Sequence, residues 1–99
     1  VVTGYGGDQI RQALGDGPVY ATQEQQLGTG DAVRQAAAGA AGHAGTVLVV
    51  YGDTPLIRPE TLRHMIEHHE AAGAAVTILT FRPEDPAGYG RIVRQAGTG

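Results

Sequence analysis

The carboxylate of Asp53 lies where a ligand-binding acid is expected in an α/β protein. It follows Val47–Val50, an apolar run short enough for a strand buried on both faces, and the turn residues Tyr51 and Gly52. In open α/β sheets, ligands bind just beyond the carboxyl ends of the strands. Because Asp is also an ordinary turn residue, its position indicates a ligand site only in combination with the rest of the chain.

A second candidate is the polar, glycine-punctuated stretch Gln23–Gly30, which reads Gln-Glu-Gln-Gln-Leu-Gly-Thr-Gly between an expected strand and an expected helix. A helix N-terminus offers unpaired N–H groups. Gln and Thr side chains carry the donors and acceptors that the edge of a planar base requires. The stretch therefore suits a nucleotide base or phosphate, although a plain strand-to-helix turn with Thr29 as N-cap explains the same pattern.

The glycine loop Pro86–Arg91 leads into an expected strand. Its backbone amides suit a polar ligand, and Arg91 suits an anion. A turn whose tyrosine packs beside the sheet is the alternative explanation.

His64–His68 reads His-Met-Ile-Glu-His and matches the H-x-x-E-H pattern of one zinc peptidase group. Two histidines one helical turn apart are able to ligate zinc. The apolar stripe of the same expected helix lies on its opposite side, however, at Leu62, Met65, Ile66 and His69. We therefore expect His64, Glu67 and His68 to face solvent rather than form a metal site.

Composition limits the remaining function classes. The 99 residues make at most one domain, and a net charge of -3 argues against bulk affinity for nucleic acid. No apolar run is long enough to span a membrane, and the absence of cysteine fits a cytoplasmic protein. All seven basic residues are Arg, so a Walker A loop is excluded. Gly4–Gly7 resembles a dinucleotide fingerprint but lacks its third glycine.

The elements that position these residues alternate along the chain. Apolar runs predict strands at Val1–Thr3, Val19–Thr22, Val47–Val50, Ala75–Phe81 and Arg91–Arg94. Between them we expect a short helix capped by Asp8, a helix over Asp31–Ala38, and a helix from Pro59 to a stop at Gly73. This alternation predicts an α/β fold with a three-layer, mostly parallel sheet.

Three motifs in order resemble one family over nearly the whole chain. They are Q-x-x-Q-L-G-T-G at Gln23–Gly30, Y-G-D-x-P-L at Tyr51–Leu56 and D-P-x-G-Y-G-R-I at Asp85–Ile92. The family is the uridylyltransferase domain of the bacterial bifunctional UDP-N-acetylglucosamine pyrophosphorylase / glucosamine-1-phosphate N-acetyltransferase. The resemblance implies a Rossmann-like nucleotidyltransferase fold, which agrees with the alternation of strands and helices.

The resemblance also implies residue roles. Gln23 would bind the uracil, with the backbone of Gly28 and the side chain of Thr29 beside it. Tyr51 and Gly52 would line the ribose and sugar side of the cleft. Asp53 would ligate the essential Mg²⁺, and the backbone amide of Gly90 would contact N-acetylglucosamine.

The implied reaction transfers a uridylyl group from UTP to N-acetylglucosamine 1-phosphate and yields UDP-N-acetylglucosamine, a cell-wall precursor. In that family a triphosphate-binding loop precedes the matching stretch, and an Asn metal ligand and a β-helix acetyltransferase domain follow it. We therefore expect residues 1–99 to be a middle segment of one nucleotidyltransferase domain, inactive alone. The parent would be a cytoplasmic homotrimer assembled through the β-helix, with no nucleic-acid or membrane partner.

Other functions stay open at this point. A related sugar-phosphate nucleotidyltransferase with another base or sugar would share the motifs. A non-catalytic nucleotide-sensing module would keep the base pocket, and a purely structural α/β domain would give Asp53 no Mg²⁺-dependent response.

Overall fold

The computed structural model describes residues 1–95, which form two compact units: Val1–Leu56, and a second unit that begins at Ile57. The first unit contains strand β1 (Val2–Thr3), helix α1 (Gly7–Leu14), strand β2 (Ala21–Thr22), helix α2 (Thr29–Ala36) and a 3₁₀ turn (Ala37–Ala40). The second unit contains helix α3 (Pro59–Ala72).

The two strands form a parallel sheet in which Val2 lies opposite Ala21 and Thr3 opposite Thr22. The ladder continues beyond β2, because the Gln23 N–H donates to the Thr3 carbonyl at 2.8 Å. Thr3 is only 2% exposed, and its hydroxyl donates to the Ala21 carbonyl at 3.5 Å. The sheet thus holds Gln23 at the carboxyl end of β2. The parallel arrangement predicted for most of the sheet is confirmed for the first two strands, which are shorter than the predicted Val1–Thr3 and Val19–Thr22.

Helix α1 begins after Gly6, whose φ of 74° lies in the left-handed region that favours glycine. The Gly6 carbonyl accepts the Gln9 N–H at 3.1 Å. The prediction that Asp8 caps this helix is wrong, since no side chain forms the cap. Asp8 lies within the first turn, where its negative charge complements the positive end of the helix dipole.

Helix α2 starts at Thr29, two residues before the predicted start at Asp31, and contacts both strands. Thr29 is not the N-cap: Gly28 takes that position, and its carbonyl accepts the Ala32 N–H at 3.2 Å. The reason is conformational, because the chain enters the helix at a φ of 96°, which a threonine adopts only with strain.

Helix α3 agrees closely with the sequence pattern. Pro59 occupies the start of the helix, where its missing N–H costs nothing. Gly73 ends the helix with a φ of 56°, and the Ala74 N–H donates to the His69 carbonyl at 3.2 Å. Both predicted ends are therefore confirmed.

The two faces of α3 are also confirmed. His64, Glu67 and His68 are exposed, whereas the predicted apolar stripe is half-buried at Leu62, Met65, Ile66 and His69. The ring Nδ1 of His69 lies 2.9 Å from the Thr77 hydroxyl, so this histidine is tied to the chain that follows the helix.

Three predicted strands are wrong for the described residues: Val47–Val50, Ala75–Phe81 and Arg91–Arg94 contain no strand. A strand needs a neighbour that pairs with its N–H and C=O groups, and within residues 1–95 β1 and β2 pair only with each other. Within the apolar run, exposure ranges from 38% at Leu48 to 60% at Val47. The structure therefore bears out a small parallel sheet with three α-helices, and the three-layer arrangement stays a prediction.

Burial is shallow throughout residues 1–95. No apolar side chain in that range is fully buried, and Tyr5 and Leu56 are 97% and 92% exposed. Within the same range, no helix combines the length and hydrophobicity needed to cross a membrane.

Candidate functional site

Gln23, the first residue after β2, has a fixed side-chain amide. Its Nε2 donates to the Gly28 carbonyl at 3.1 Å and to Oδ2 of Asp31 at 2.9 Å. Both partners are acceptors, so the amide nitrogen, and not its oxygen, must face them. No group in residues 1–95 donates to Oε1 of Gln23, which leaves this oxygen able to accept from a ligand.

Asp31 lies in the first turn of α2, and its side chain is only 9% exposed. The hydrogen bond from Gln23 is the main cause that lowers the pKa of Asp31 below its ordinary value. A hydrogen bond from Gln35 and the charge of Arg34, whose Nη2 lies 3.6 Å from Oδ1, act in the same direction against partial burial. Asp31 is therefore an ionised acceptor at neutral pH.

Of the predicted base-binding residues, Gln23 and Gly28 are joined by a hydrogen bond across the loop after β2, and Thr29 follows as the first residue of α2. A Cβ added to Gly28 would meet no atom within 4 Å, so conformation rather than space requires glycine there. Its carbonyl accepts from both Gln23 and Ala32. Thr29 is exposed at the start of α2.

An open surface cavity of about 330 Å³ lies against this loop. Its lining residues are Thr22, Glu24, Gln25, Leu27, Asp31, Arg34 and Gln35. Gln23, Gly28 and Thr29 are absent from the lining. Asp31 therefore joins the two features, because it holds the Gln23 amide and also lines the cavity.

Tyr51, Gly52 and Asp53 form an exposed turn. The Tyr51 carbonyl accepts from Thr54 twice, from its N–H at 3.3 Å and from its hydroxyl at 3.1 Å. No hydrogen bond or ion pair among residues 1–95 joins this turn to the Gln23 loop. The exposed Asp53 carboxylate is therefore accessible, but it is not organised by a protein partner.

Gly90 belongs to the second unit, in a loop with local order of its own. The Ala87 N–H donates to Oδ1 of Asp85 at 2.9 Å, and the Tyr89 N–H donates to the Pro86 carbonyl at 3.2 Å. The Tyr89 ring packs edge-on against Phe81, with centroids 5.0 Å apart. Gly90 itself is exposed, with open space where a Cβ would lie.

The H-x-x-E-H pattern on α3 forms no metal centre in this structure. Its histidines and glutamate are exposed, and within residues 1–95 no group of three or more His, Cys, Asp or Glu side chains is placed to hold a metal. The expectation of a solvated helix face is confirmed for these residues.

Comparison with known protein families identifies the type of domain to which these residues belong. Residues 1–96 match the MobA-like NTP transferase domain. The chain belongs to that family. The resemblance carried by the three motifs is therefore confirmed at the level of a nucleotidyltransferase domain.

Curated relatives of this NTP transferase segment carry the name bifunctional protein GlmU. The proteins from Levilactobacillus brevis and Limosilactobacillus fermentum are 54% and 55% identical to it over 93 residues, or 94% of the chain. The protein from Geobacter metallireducens is 54% identical over 96 residues, or 95% of the chain. In each case the match covers 20% of the relative, so the chain spans about a fifth of their length.

Asp31 is the site residue that the motif pattern did not single out. The sequence pattern indicates only that Asp31 lies at the beginning of a helix. The signal that points to it is the eight-residue separation from Gln23, which lets the first turn of α2 fold back onto the residue that leaves β2. An acidic residue in that turn supplies the acceptor that a glutamine amide needs.

Proposed function

We propose that the protein to which this chain belongs transfers a uridylyl group from UTP to N-acetylglucosamine 1-phosphate, releasing pyrophosphate. The main support is the identity of about half of the aligned residues to bifunctional GlmU proteins over 94–95% of the chain. The loop around Gln23 and Gly28, in which the Gln23 amide oxygen has no donor among residues 1–95, is consistent with a base-binding role.

The proposed reaction does not require a protein side chain to act as a general base. A phosphate oxygen of the sugar phosphate attacks the α-phosphorus of UTP, one P–O bond forms, and the bond to the pyrophosphate leaving group breaks. Because the nucleophile is already an anion, no general base is needed.

Gln23 would bind the base through its free amide oxygen. Gly28 and Thr29 would supply backbone and hydroxyl groups beside it, at the N-terminal end of α2, where the helix dipole also favours a negatively charged ligand. The parts played by Tyr51, Gly52 and Gly90 on the ribose and sugar side rest on the motif resemblance.

Asp53 suits Mg²⁺ by its chemistry. Mg²⁺ is usually held by one or two carboxylates together with phosphate oxygens of the substrate, and Asp53 offers one accessible carboxylate on a turn. When bound, the ion would neutralise charge on the triphosphate and align the reacting oxygens. Asp53 would orient the ion, and Gly52 leaves open space beside it.

The test is pyrophosphate release by the full-length protein from UTP and N-acetylglucosamine 1-phosphate, with Mg²⁺ and then with EDTA. We expect metal-dependent release that is much weaker with CTP, GTP or dTTP. Preference for another nucleotide would identify a related nucleotidyltransferase instead. A folded protein that released no pyrophosphate with any sugar phosphate would refute the enzymatic assignment and favour a nucleotide-sensing module.

A further inference from the structure

We propose that Asp31 is a positioning residue that sets base specificity by holding the Gln23 amide with its oxygen free to accept. This inference rests on the proposed function, in which Gln23 contacts the base. Asp31 itself touches neither the base nor the reacting phosphates in this account, and acts through Gln23.

The amide has two N–H groups, and the structure gives each an acceptor. One donates to the Gly28 carbonyl at 3.1 Å and the other to Asp31 Oδ2 at 2.9 Å. With both donors used, Gln23 presents only Oε1 to a ligand. A side chain that normally both donates and accepts is thereby restricted to accepting.

The reversed amide is unfavourable because of Asp31. Rotation by 180° would place Oε1 against a carboxylate oxygen, where two acceptors repel each other and neither carries a proton. The Gly28 carbonyl adds the same penalty on its side. The pKa of Asp31 is lowered, first by the hydrogen bond from Gln23 and then by Gln35 and Arg34, so the carboxylate is charged and the penalty applies at neutral pH.

The restriction of Gln23 to accepting distinguishes uracil from cytosine. Uracil presents a donor at N3–H, which an acceptor oxygen matches. Cytosine presents a lone pair at N3, which requires a donor that the held amide no longer offers. A site whose polar groups are left unpaired by the wrong ligand discriminates strongly against it. Asp31 would thus determine selection of UTP over CTP without contacting either.

The test compares Asp31→Asn with the unaltered full-length protein. Asparagine keeps the shape but adds an N–H₂ group that tolerates either Gln23 orientation. We expect the ratio of kcat/KM for UTP to that for CTP to fall about tenfold, mainly through KM, as expected for one hydrogen-bond match. Asp8→Asn is the matched control, since Asp8 lies in the first turn of the equally short α1; its ratio should not change.

A second readout follows the amide directly in full-length protein with ¹⁵N-labelled glutamine. The Gln23 side-chain signals, assigned by their loss in Gln23→Ala, should shift with acid as Asp31 is protonated. In Asp31→Asn that acid-dependent shift should disappear. Loss of this shift in Asp31→Asn would show that Asp31 contacts the Gln23 amide. The ratio of kcat/KM for UTP to that for CTP separates a positioning role from a merely structural one, which would leave the ratio unchanged.

The outcomes are distinguishable. If the unaltered protein prefers UTP and Asp31→Asn keeps the same preference, the inference is overturned while the proposed function stands. An equal loss of turnover with UTP and CTP in Asp31→Asn would also overturn it, by pointing to folding. If the unaltered protein uses neither UTP nor CTP, the proposed function is wrong. The inference about Asp31 is then wrong as well, whatever the Gln23 amide signals show.

Discussion

Asp53 offers an accessible carboxylate in an exposed turn and makes no ion pair in residues 1–95, which suits a residue whose partner is a metal rather than another side chain. Asp53→Asn keeps the shape and removes the charge. If Asp53 holds Mg²⁺, we expect pyrophosphate release by the full-length protein to fall by more than about 100-fold, beyond the loss typical of residues that only support metal ligands. Pyrophosphate release across a Mg²⁺ titration measures this loss.

The control for Asp53→Asn is Asp16→Asn, which removes an exposed carboxylate from another turn of the first unit. Circular dichroism should be unchanged in both variants. Binding of Mn²⁺, followed by electron paramagnetic resonance with UTP present, should weaken only in Asp53→Asn. Near-normal turnover and unchanged Mn²⁺ binding would contradict the metal role.

Asp31 predicts a pH dependence of stability. Its pKa is lowered in the folded chain, chiefly by the hydrogen bond from Gln23, so the folded state favours the ionised carboxylate. The stabilisation is present above the pKa of the unfolded chain and is lost as pH falls through the lower folded pKa. In Asp31→Asn, the free energy of unfolding measured with urea should therefore fall less between neutral and acidic pH than it does in the unaltered protein. An equal fall in the free energy of unfolding in both proteins would contradict this role of Asp31.

At the site, the sequence predicted a group of residues but not the hydrogen bonds between them. The sequence groups Gln23, Gly28 and Thr29 in one polar stretch, and the structure joins Gln23 to Gly28 by a hydrogen bond, with Thr29 next as the first residue of α2. The hydrogen bond to Asp31 was not predictable from that stretch, because it depends on how α2 folds back towards β2. The predicted roles of Tyr51, Gly52 and Gly90 stay predictions.

Among the helices and strands, the end of α3 at Gly73 can be tested directly by mutation. Gly73 has a φ of 56°, and alanine in this conformation costs about 1–2 kcal/mol. Gly73→Ala should therefore loosen the last turn of α3 and speed amide exchange there about tenfold or more, as measured by hydrogen–deuterium exchange. Gly17→Ala is the control, because Gly17 lacks a positive φ and has open space around it. Unchanged exchange in Gly73→Ala would contradict the structural role of this glycine.

The contrast between α3 and the missing strands shows what sequence patterns can predict. A helix makes its hydrogen bonds within itself, so Pro59, the apolar stripe and Gly73 are sufficient to predict α3. A strand depends on a partner elsewhere in the chain. Val47–Val50 has the composition of a buried strand, but among residues 1–95 no strand pairs with it. The apolar pattern indicates a tendency to extend and carries no information about the partner.

For the whole molecule, the chain spans about a fifth of its curated relatives, and the cytoplasmic location and the trimer remain predictions. Large apolar side chains stay exposed throughout residues 1–95, including Tyr5, Leu56 and Val93. Exposed apolar surface of this kind is unusual for an independent soluble domain and normally marks a surface that another part of a protein covers. Hydrophobic burial is also the main stabilising contribution to folding.

This burial pattern predicts how residues 1–99 behave when expressed alone. Without fully buried apolar side chains in residues 1–95, the free energy of folding should be too small for a cooperative transition. We expect strong binding of 1-anilinonaphthalene-8-sulfonate, non-cooperative thermal unfolding, and no pyrophosphate release above the EDTA background. The full-length protein is the control and should show weak dye binding and Mg²⁺-dependent turnover. If the isolated segment unfolded cooperatively and turned over UTP, both the predicted inactivity and the importance of its exposed apolar surface would be wrong.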